Sequence, residues 1–464
     1  MKSKIYQEKI YGYVVEEHLE IYFEYDDTIV YSTDEKVSMG NDSDVYEGQV
    51  IKMVSVQEVE TFYGIMEMGR LSKSEILSIQ DIITFFTGVP FIEYCGYSKS
   101  EGISPIKVNK KELIFKVGQK DYTSDLKILL NKIKQEKKLV ISLLDRWRKA
   151  IYLIDESVDA NLYHDEAILS FFHIIELLSE VNKNELFEKM SNEINSMLYN
   201  FYNKNLKYND NQINEKINGN RKILNDILIG NELNLSQKIK YFLDKIGLYD
   251  EIVSNFVDNI IKIRNSIAHG REIYNSSVCW PVPPFFNLAD NSYKYVDLLY
   301  SFTARMVACY IGVECWKDEW LECKKKLLPS KNIFSDYLKN YSNYVDITVQ
   351  SLYEGNKYNI TWDNIFEMYV NDHQKYNIEV ISNAFKECFL NTIMNPSIGI
   401  CIFNISVVLC DSVDSEVSNK AKENVVFIIE NNLIPWGNKK DIYGYLNHYN
   451  ITPIWYKNYL VNGK

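Results

Sequence analysis

The chain has 464 residues, 46% of them hydrophobic, and a formal net charge of −12. That much apolar material excludes global disorder, and the length points to about three domains, with two to four reasonable. The acidic balance argues against generic nucleic-acid binding, because a phosphate backbone repels an acidic surface. No apolar run approaches the roughly 18–20 residues that span a bilayer.

Residues 1 to about 120 read as mainly strand. The start, Met1 to Glu8, has no following apolar region of the kind a secretory signal needs. Ile10–Val15, Leu19–Tyr25, Thr28–Tyr31 and Val50–Val56 are rich in Tyr, Ile, Val and Phe, and Asp26-Asp27 and Asn41–Asp44 supply turns. Ser74–Phe86 predicts one embedded helix, capped by Ser74, with Ile76, Ile79, Ile83 and Phe86 on one stripe. Strand returns at Phe91–Tyr97 and Leu113–Val117.

From about residue 124 the pattern is helical. Ser124–Gln135 and Lys137–Glu156 are amphipathic and lack Gly and Pro. Between Lys107 and Lys149 thirteen basic residues face five acidic ones, a net +8 that leaves −20 for the rest. That segment is either a solvated lysine-rich face or a patch turned toward RNA. Ile168, Phe171, Phe172, Ile175 and Leu178 form the buried face of the next helix. Residues 200–234 are Asn-rich and read as a mobile or partly helical insertion. Trp280-Pro281-Val282-Pro283-Pro284 predicts a rigid connector, and Ser292–Lys325 one long helix. Residues 331–464 look like a separate, mostly helical unit, in which periodicity leaves Ile398–Leu409 open between buried helix and strand. The fold class is α+β: a β-rich domain over 1–123, a helical domain over 124–328 and a helical carboxy-terminal domain over 329–464.

The eight cysteines, at 95, 279, 309, 315, 323, 388, 401 and 410, form no CxxC pair. Reduced, mostly buried thiols and a cytoplasmic compartment are expected. No HExxH, EF-hand loop, Walker A, GxGxxG or GxSxG occurs, so neither a metal nor a nucleotide cofactor has sequence support.

The chemistry concentrates in Arg264-Asn265-Ser266-Ile267-Ala268-His269-Gly270-Arg271. Phe256, Ile260, Ile263 and Ile267 recur at helical spacing and predict one buried face from about Tyr249 to Ala268. Asn265 and His269 are four apart on the opposite face, with Arg264 at the edge between the two. Gly270 suits a left-handed helix end, which leaves His269 beside the unpaired carbonyls of the last turn. An arginine for phosphate charge beside a proton-exchanging histidine suits RNA phosphodiester cleavage. The plainer alternative is a surface arginine and a histidine that only caps carbonyls.

At these residues the chain resembles the HEPN superfamily, whose signature is an arginine, four to six intervening residues and a histidine, commonly with a polar residue after the arginine. Ile263 to Gly270 looks still more like the ApeA-like HEPN group of bacterial defence proteins. Asp165 to Leu178, including Glu176 after an apolar pair, resembles the early helix of that domain. Gln237 to Leu243 resembles the segment leading to the motif helix. The resemblance covers roughly residues 137–326, and extends loosely to the β-rich region.

The resemblance implies an all-α HEPN bundle and a metal-independent endoribonuclease. His269 would act on the ribose 2′-OH and the leaving oxygen, and Arg264 on the phosphoryl oxygens, to leave 2′,3′-cyclic phosphate and 5′-OH ends. Asn265 would support the imidazole. Glu176 is either an ordinary boundary residue or a carboxylate that orients Arg264 or tunes His269. One motif per chain, in a superfamily that pairs its motifs, implies a homodimer. The implied setting is abortive infection against phage, with cellular RNA, plausibly tRNA, as substrate and a phage-derived trigger or regulatory partner. The alternative is a non-catalytic HEPN module that binds RNA or protein.

Overall fold

The computed structural model describes the chain apart from residues 1–2, 14–16, 35–36, 39–44, 47–48, 60–64, 92–95, 103–104, 156–162, 230–232, 271–291 and 463–464. Its fold class is α+β. The chain packs as two compact units: Met1–Ile246 with Val296–Trp320, and Gly247–Tyr295 with Leu321–Lys464. These do not coincide with the three sequential segments expected. The motif helix groups with the carboxy-terminal residues, because both chain excursions, 247–295 and 296–320, cut across sequence order.

The first unit begins with an antiparallel sheet. Its strands are β1 (Ser3–Gly12), β2 (Leu19–Tyr25), β3 (Thr28–Thr33), β4 (Val37–Ser38), β5 (Val45–Tyr46), β6 (Val50–Val59), β7 (Gly96–Gly102), β8 (Ile114–Val117) and β9 (Lys120–Asp121). Seven of them run in the order β7-β1-β6-β3-β2-β8-β9, and β4 and β5 pair separately. The expected turn at Asp26-Asp27 closes the β2–β3 hairpin, where Tyr25 pairs with Thr28 and Asp26 takes φ +48°. Strand β1 starts earlier than expected and ends at Gly12. The expected turn at Asn41–Asp44 lies outside the described residues.

Helix α1 (Ile65–Thr87) is longer than the expected Ser74–Phe86. Ser74 is therefore interior and caps nothing; its carbonyl accepts from Ser78 Oγ at 2.8 Å. The predicted stripe of Ile76, Ile79, Ile83 and Phe86 is buried. The two amphipathic segments that follow form one helix, α2 (Thr123–Asp155), kinked at Glu136 (φ −135°, ψ 45°), the residue between them. Helices α3 (His164–Val181), α4 (Lys183–Lys204), α5 (Asp210–Leu228) and α6 (Leu235–Lys245) follow. The five predicted apolar positions of α3 are all buried. The 200–234 stretch, expected to be mobile or partly helical, is largely helix: its amphipathic pattern buries Ile213 and Ile217 in α5.

Beyond α7 (Glu251–Ala268) the expected long helix is two, α8 (Ser292–Ile311) and α9 (Lys317–Lys324). Gly312 and Trp316 take φ +93° and +65°, which no α-helix allows. Arg305 fills the break, donating to the carbonyls of Val313 (3.2 Å) and Cys315 (3.1 Å). Trp147, fully buried, stacks on Tyr300 and meets Trp316 edge-on, each centroid pair 5.2 Å apart. The Trp280–Pro284 connector lies outside the described residues.

The second unit also holds α10 (Lys331–Asn340), α11 (Ser351–Glu354), α12 (Trp362–Asn371), α13 (Ile378–Leu390), α14 (Pro396–Leu409), α15 (Ser415–Glu430), α16 (Asp441–His448) and α17 (Ile454–Asn462). Ser330, Thr361, Asn377, Asn395 and Asp414 cap five of these helices by accepting first-turn N–H groups. Ile398–Leu409, left open by its periodicity, is helix: Asn395 caps it and Pro396 begins it. The core centres on Trp362, Phe385, Phe389, Ile402 and Phe403. Among the described residues no helix is long and apolar enough to cross a membrane.

Candidate functional site

Helix α7 is held at both ends. Asp250 caps its start, Oδ1 accepting from the Val253 N–H at 2.8 Å, and also pairs with Lys324. Glu251 in the first turn accepts from the Ser330 hydroxyl. Ile252, Val253, Phe256, Val257, Ile260 and Ile267 are buried, and Phe256 stacks nearly parallel to Tyr295. Of the four predicted stripe residues only Ile263 is half-buried rather than buried.

At the far end the helix stops as its sequence requires. His269 is the last half-helical residue (φ −91°, ψ 0°), and its N–H bonds to the Asn265 carbonyl at 3.0 Å. Gly270 turns left-handed (φ +70°) and its N–H reaches the Ile267 carbonyl at 3.2 Å. Gly270 is the residue type that takes this conformation without a Cβ penalty. His269 and Asn265 are exposed, and Arg264 is half-buried.

Arg264 Nη1 donates to Asn265 Oδ1 at 3.2 Å. The expected support of His269 by Asn265 therefore takes a different form. The Asn265 side-chain oxygen serves the arginine, and its backbone carbonyl anchors the histidine backbone. The last turn and a half of the helix thus carries a guanidinium, an amide and an imidazole, with His269 five positions after Arg264. A guanidinium offers fork-shaped donors to phosphate oxygens, and an exposed imidazole can exchange protons with a bound hydroxyl.

Glu176 lies in the first unit, on α3, half-buried, its carbonyl accepting from Ser179 Oγ at 2.8 Å. His173, one turn before it, is exposed and faces Arg146 Nη1 at 3.3 Å.

Two features escaped the sequence reading. His373 and His448, distant in sequence, line one groove of about 390 Å³ with Asp372 and Asn450 in the second unit. No spacing rule pairs two histidines 75 positions apart, so only the fold reveals them. A second groove, of about 380 Å³, is lined by Lys111, Lys127 and Lys134 in the first unit. The basic segment was legible, but not which of its lysines lack a carboxylate partner among the described residues. Among the described residues no group of three or more His, Cys, Asp or Glu side chains is placed to hold a metal ion. The six described cysteines form no disulfide, and Cys95 and Cys279 lie outside the described residues. Comparison with protein families, with curated proteins and with solved structures finds no match to this chain.

Proposed function

We propose that the chain is a metal-independent endoribonuclease of the HEPN type, with Arg264 and His269 as its catalytic residues. The supporting observation is the end of α7: an exposed His269 and an adjoining Arg264–Asn265 pair on a helix closed by a left-handed glycine. In the proposed reaction the ribose 2′-oxygen forms a bond to phosphorus and the P–O5′ bond breaks. His269 accepts the 2′-OH proton, and a protonated His269 of a second copy donates to the departing 5′-oxygen. Arg264 stabilises the charge on the phosphoryl oxygens as it grows. The products are a 2′,3′-cyclic phosphate and a 5′-OH. Asn265 holds Arg264 in place.

The need for one proton acceptor and one donor is what makes a homodimer part of this proposal. A cytoplasmic effector of anti-phage abortive infection, acting on cellular RNA and released by a phage-derived trigger, is the setting we propose.

The test is cleavage of total RNA by the purified chain in excess EDTA, with the fragment ends mapped, against Arg264→Ala and His269→Ala. Cyclic-phosphate ends from the wild type alone are expected. Equal cleavage by all three proteins overturns the proposal. RNA binding without cleavage leaves the non-catalytic module as the better reading.

A further inference from the structure

We propose that the groove between β2 and the first half of α2 binds the phosphate backbone of single-stranded RNA through Lys111, Lys127 and Lys134. The groove arises from a mismatch in strand length. The β2–β8 ladder runs from Leu19–Val117 to Tyr22–Ile114 and stops, while β2 continues to Tyr25. The step opens a groove of about 380 Å³, closed on its other side by α2.

The charge argument starts from the ion pairs. Of the thirteen basic residues between Lys107 and Lys149, seven are tied to carboxylates, among them Lys132 to Glu136 and Lys137 to Asp26. Arg146 faces His173. Five lysines, at 107, 111, 127, 134 and 138, have no carboxylate partner among the described residues, and three of the five converge on this groove. Glu24, the acid on its wall, is neutralised by Lys110 at 3.2 Å. The groove therefore keeps an excess of three positive charges in a chain whose net charge is −12. Unpaired lysines brought together repel one another, so an anion that joins them gains what a salt-bridged lysine face has already used.

The spacing favours a strand over a single anion. Lys127, Asn131 and Lys134 fall at i, i+4 and i+7 on one face of α2. The two lysines are about 10 Å apart along the axis, far enough to hold different phosphates. Asn131 between them offers an amide donor and acceptor to a ribose 2′-hydroxyl, the group that separates RNA from DNA. A groove with lysines along its walls suits a single-stranded backbone, which positively charged grooves of this kind track. The choice of RNA as the strand rests on the ribonuclease reading above.

The test uses the full-length His269→Ala protein and a fluorescently labelled single-stranded RNA oligonucleotide, titrated from low to moderate salt. The Lys111→Ala/Lys127→Ala/Lys134→Ala variant is expected to bind at least tenfold more weakly. It should also lower the slope of log affinity against log salt by about 2, since each phosphate contact on a single strand contributes roughly 0.7. Lys107→Ala/Lys138→Ala, outside the groove, should change affinity less than threefold. Equal losses in the two variants would mean a general charge effect and overturn the proposal. So would binding to anionic phospholipid vesicles that needs the three lysines when RNA binding does not. Cleavage by the wild type is scored separately. Lysine-dependent binding with no cleavage sinks the nuclease and keeps the groove, and cleavage with lysine-independent binding does the reverse.

Discussion

His269 stands in solvent at a helix end, and that position separates its chemistry from its structural worth. A charge interaction with the helix dipole contributes at most about 1–2 kcal/mol, against a domain stability of roughly 5–15 kcal/mol. His269→Ala is therefore expected to keep its melting transition within a few degrees while losing RNA cleavage. A collapsed melting temperature would make the residue structural. Arg264→Lys should lose nearly as much cleavage as Arg264→Ala, because an ammonium cannot reproduce the planar fork that meets Asn265. A lysine variant at wild-type rate would show that charge alone suffices.

A different residue makes stability depend on pH. Arg148 is buried, and its guanidinium donates to Asp81 Oδ1 at 2.5 Å, to the Phe91 carbonyl at 2.9 Å and to Asp145 at 3.2 Å. Burial pushes the Asp81 carboxyl from its ordinary 3.8 up to about 7, and Arg148 only partly opposes that. The folded state then holds the proton more tightly than the unfolded chain. The stabilising contribution is full below the unfolded value and is lost as pH rises through the folded one. The unfolding free energy of the wild type should fall relative to Asp81→Asn between about pH 4 and pH 7, measured by denaturant titration. A gap that does not change with pH would mean the carboxyl stays ionised.

At the scale of the element, amphipathic pattern and capping chemistry were readable wherever a helix end is local. The end of α7 is the example: a buried stripe, then a glycine that turns left-handed at φ +70°. Gly270→Ala should cost about 1–2 kcal/mol through backbone strain alone, since no described atom lies within 4 Å of an added Cβ. Urea denaturation measures it; a neutral result would mean the helix end simply rearranges. Two element boundaries were misread for one reason. Ser74 reads as a cap because it precedes an apolar stripe, and Ser292–Lys325 as one helix because its pattern continues. In both, the apolar stripe does not mark the helix end: α1 begins at Ile65, ahead of Ser74, and Arg305 gathers the Val313 and Cys315 carbonyls just past the end of α8. The α4–α5 hairpin is the converse case. Its sequence reads as an Asn-rich insertion, and in α4 Met197 and Phe201 are 72% and 48% exposed. Phe201→Gln should change stability by less than about 0.5 kcal/mol, whereas Ile213→Ala, at a buried site, should cost about 2–5 kcal/mol.

At the scale of the whole molecule, two compact units each carry a buried thiol that reports on their opening. Burial raises the thiols of Cys315 in the first unit and Cys410 in the second, so neither presents a reactive thiolate in the folded state. Among the six described cysteines, aromatic disulfide reagents should label half-buried Cys309, Cys388 and Cys401 first. Cys315 and Cys410 should react only as fast as their units open, and immediate labelling of either would contradict the packing. The sequence alone determined what depends on neighbours a few residues away. That includes the β-rich start, the helical remainder, the face of α3, the break at Glu136, and an arginine, an asparagine and a histidine at one helix end. Those features rest on periodicity, turn chemistry and capping, which a chain specifies locally. Only tertiary structure decided that α7 groups with the carboxy-terminal helices, that His373 and His448 share a groove, and which lysines of a basic run lack a carboxylate partner among the described residues. Each of these depends on which surfaces meet across long loops, and burial and ion pairing between distant residues leave no mark in sequence spacing.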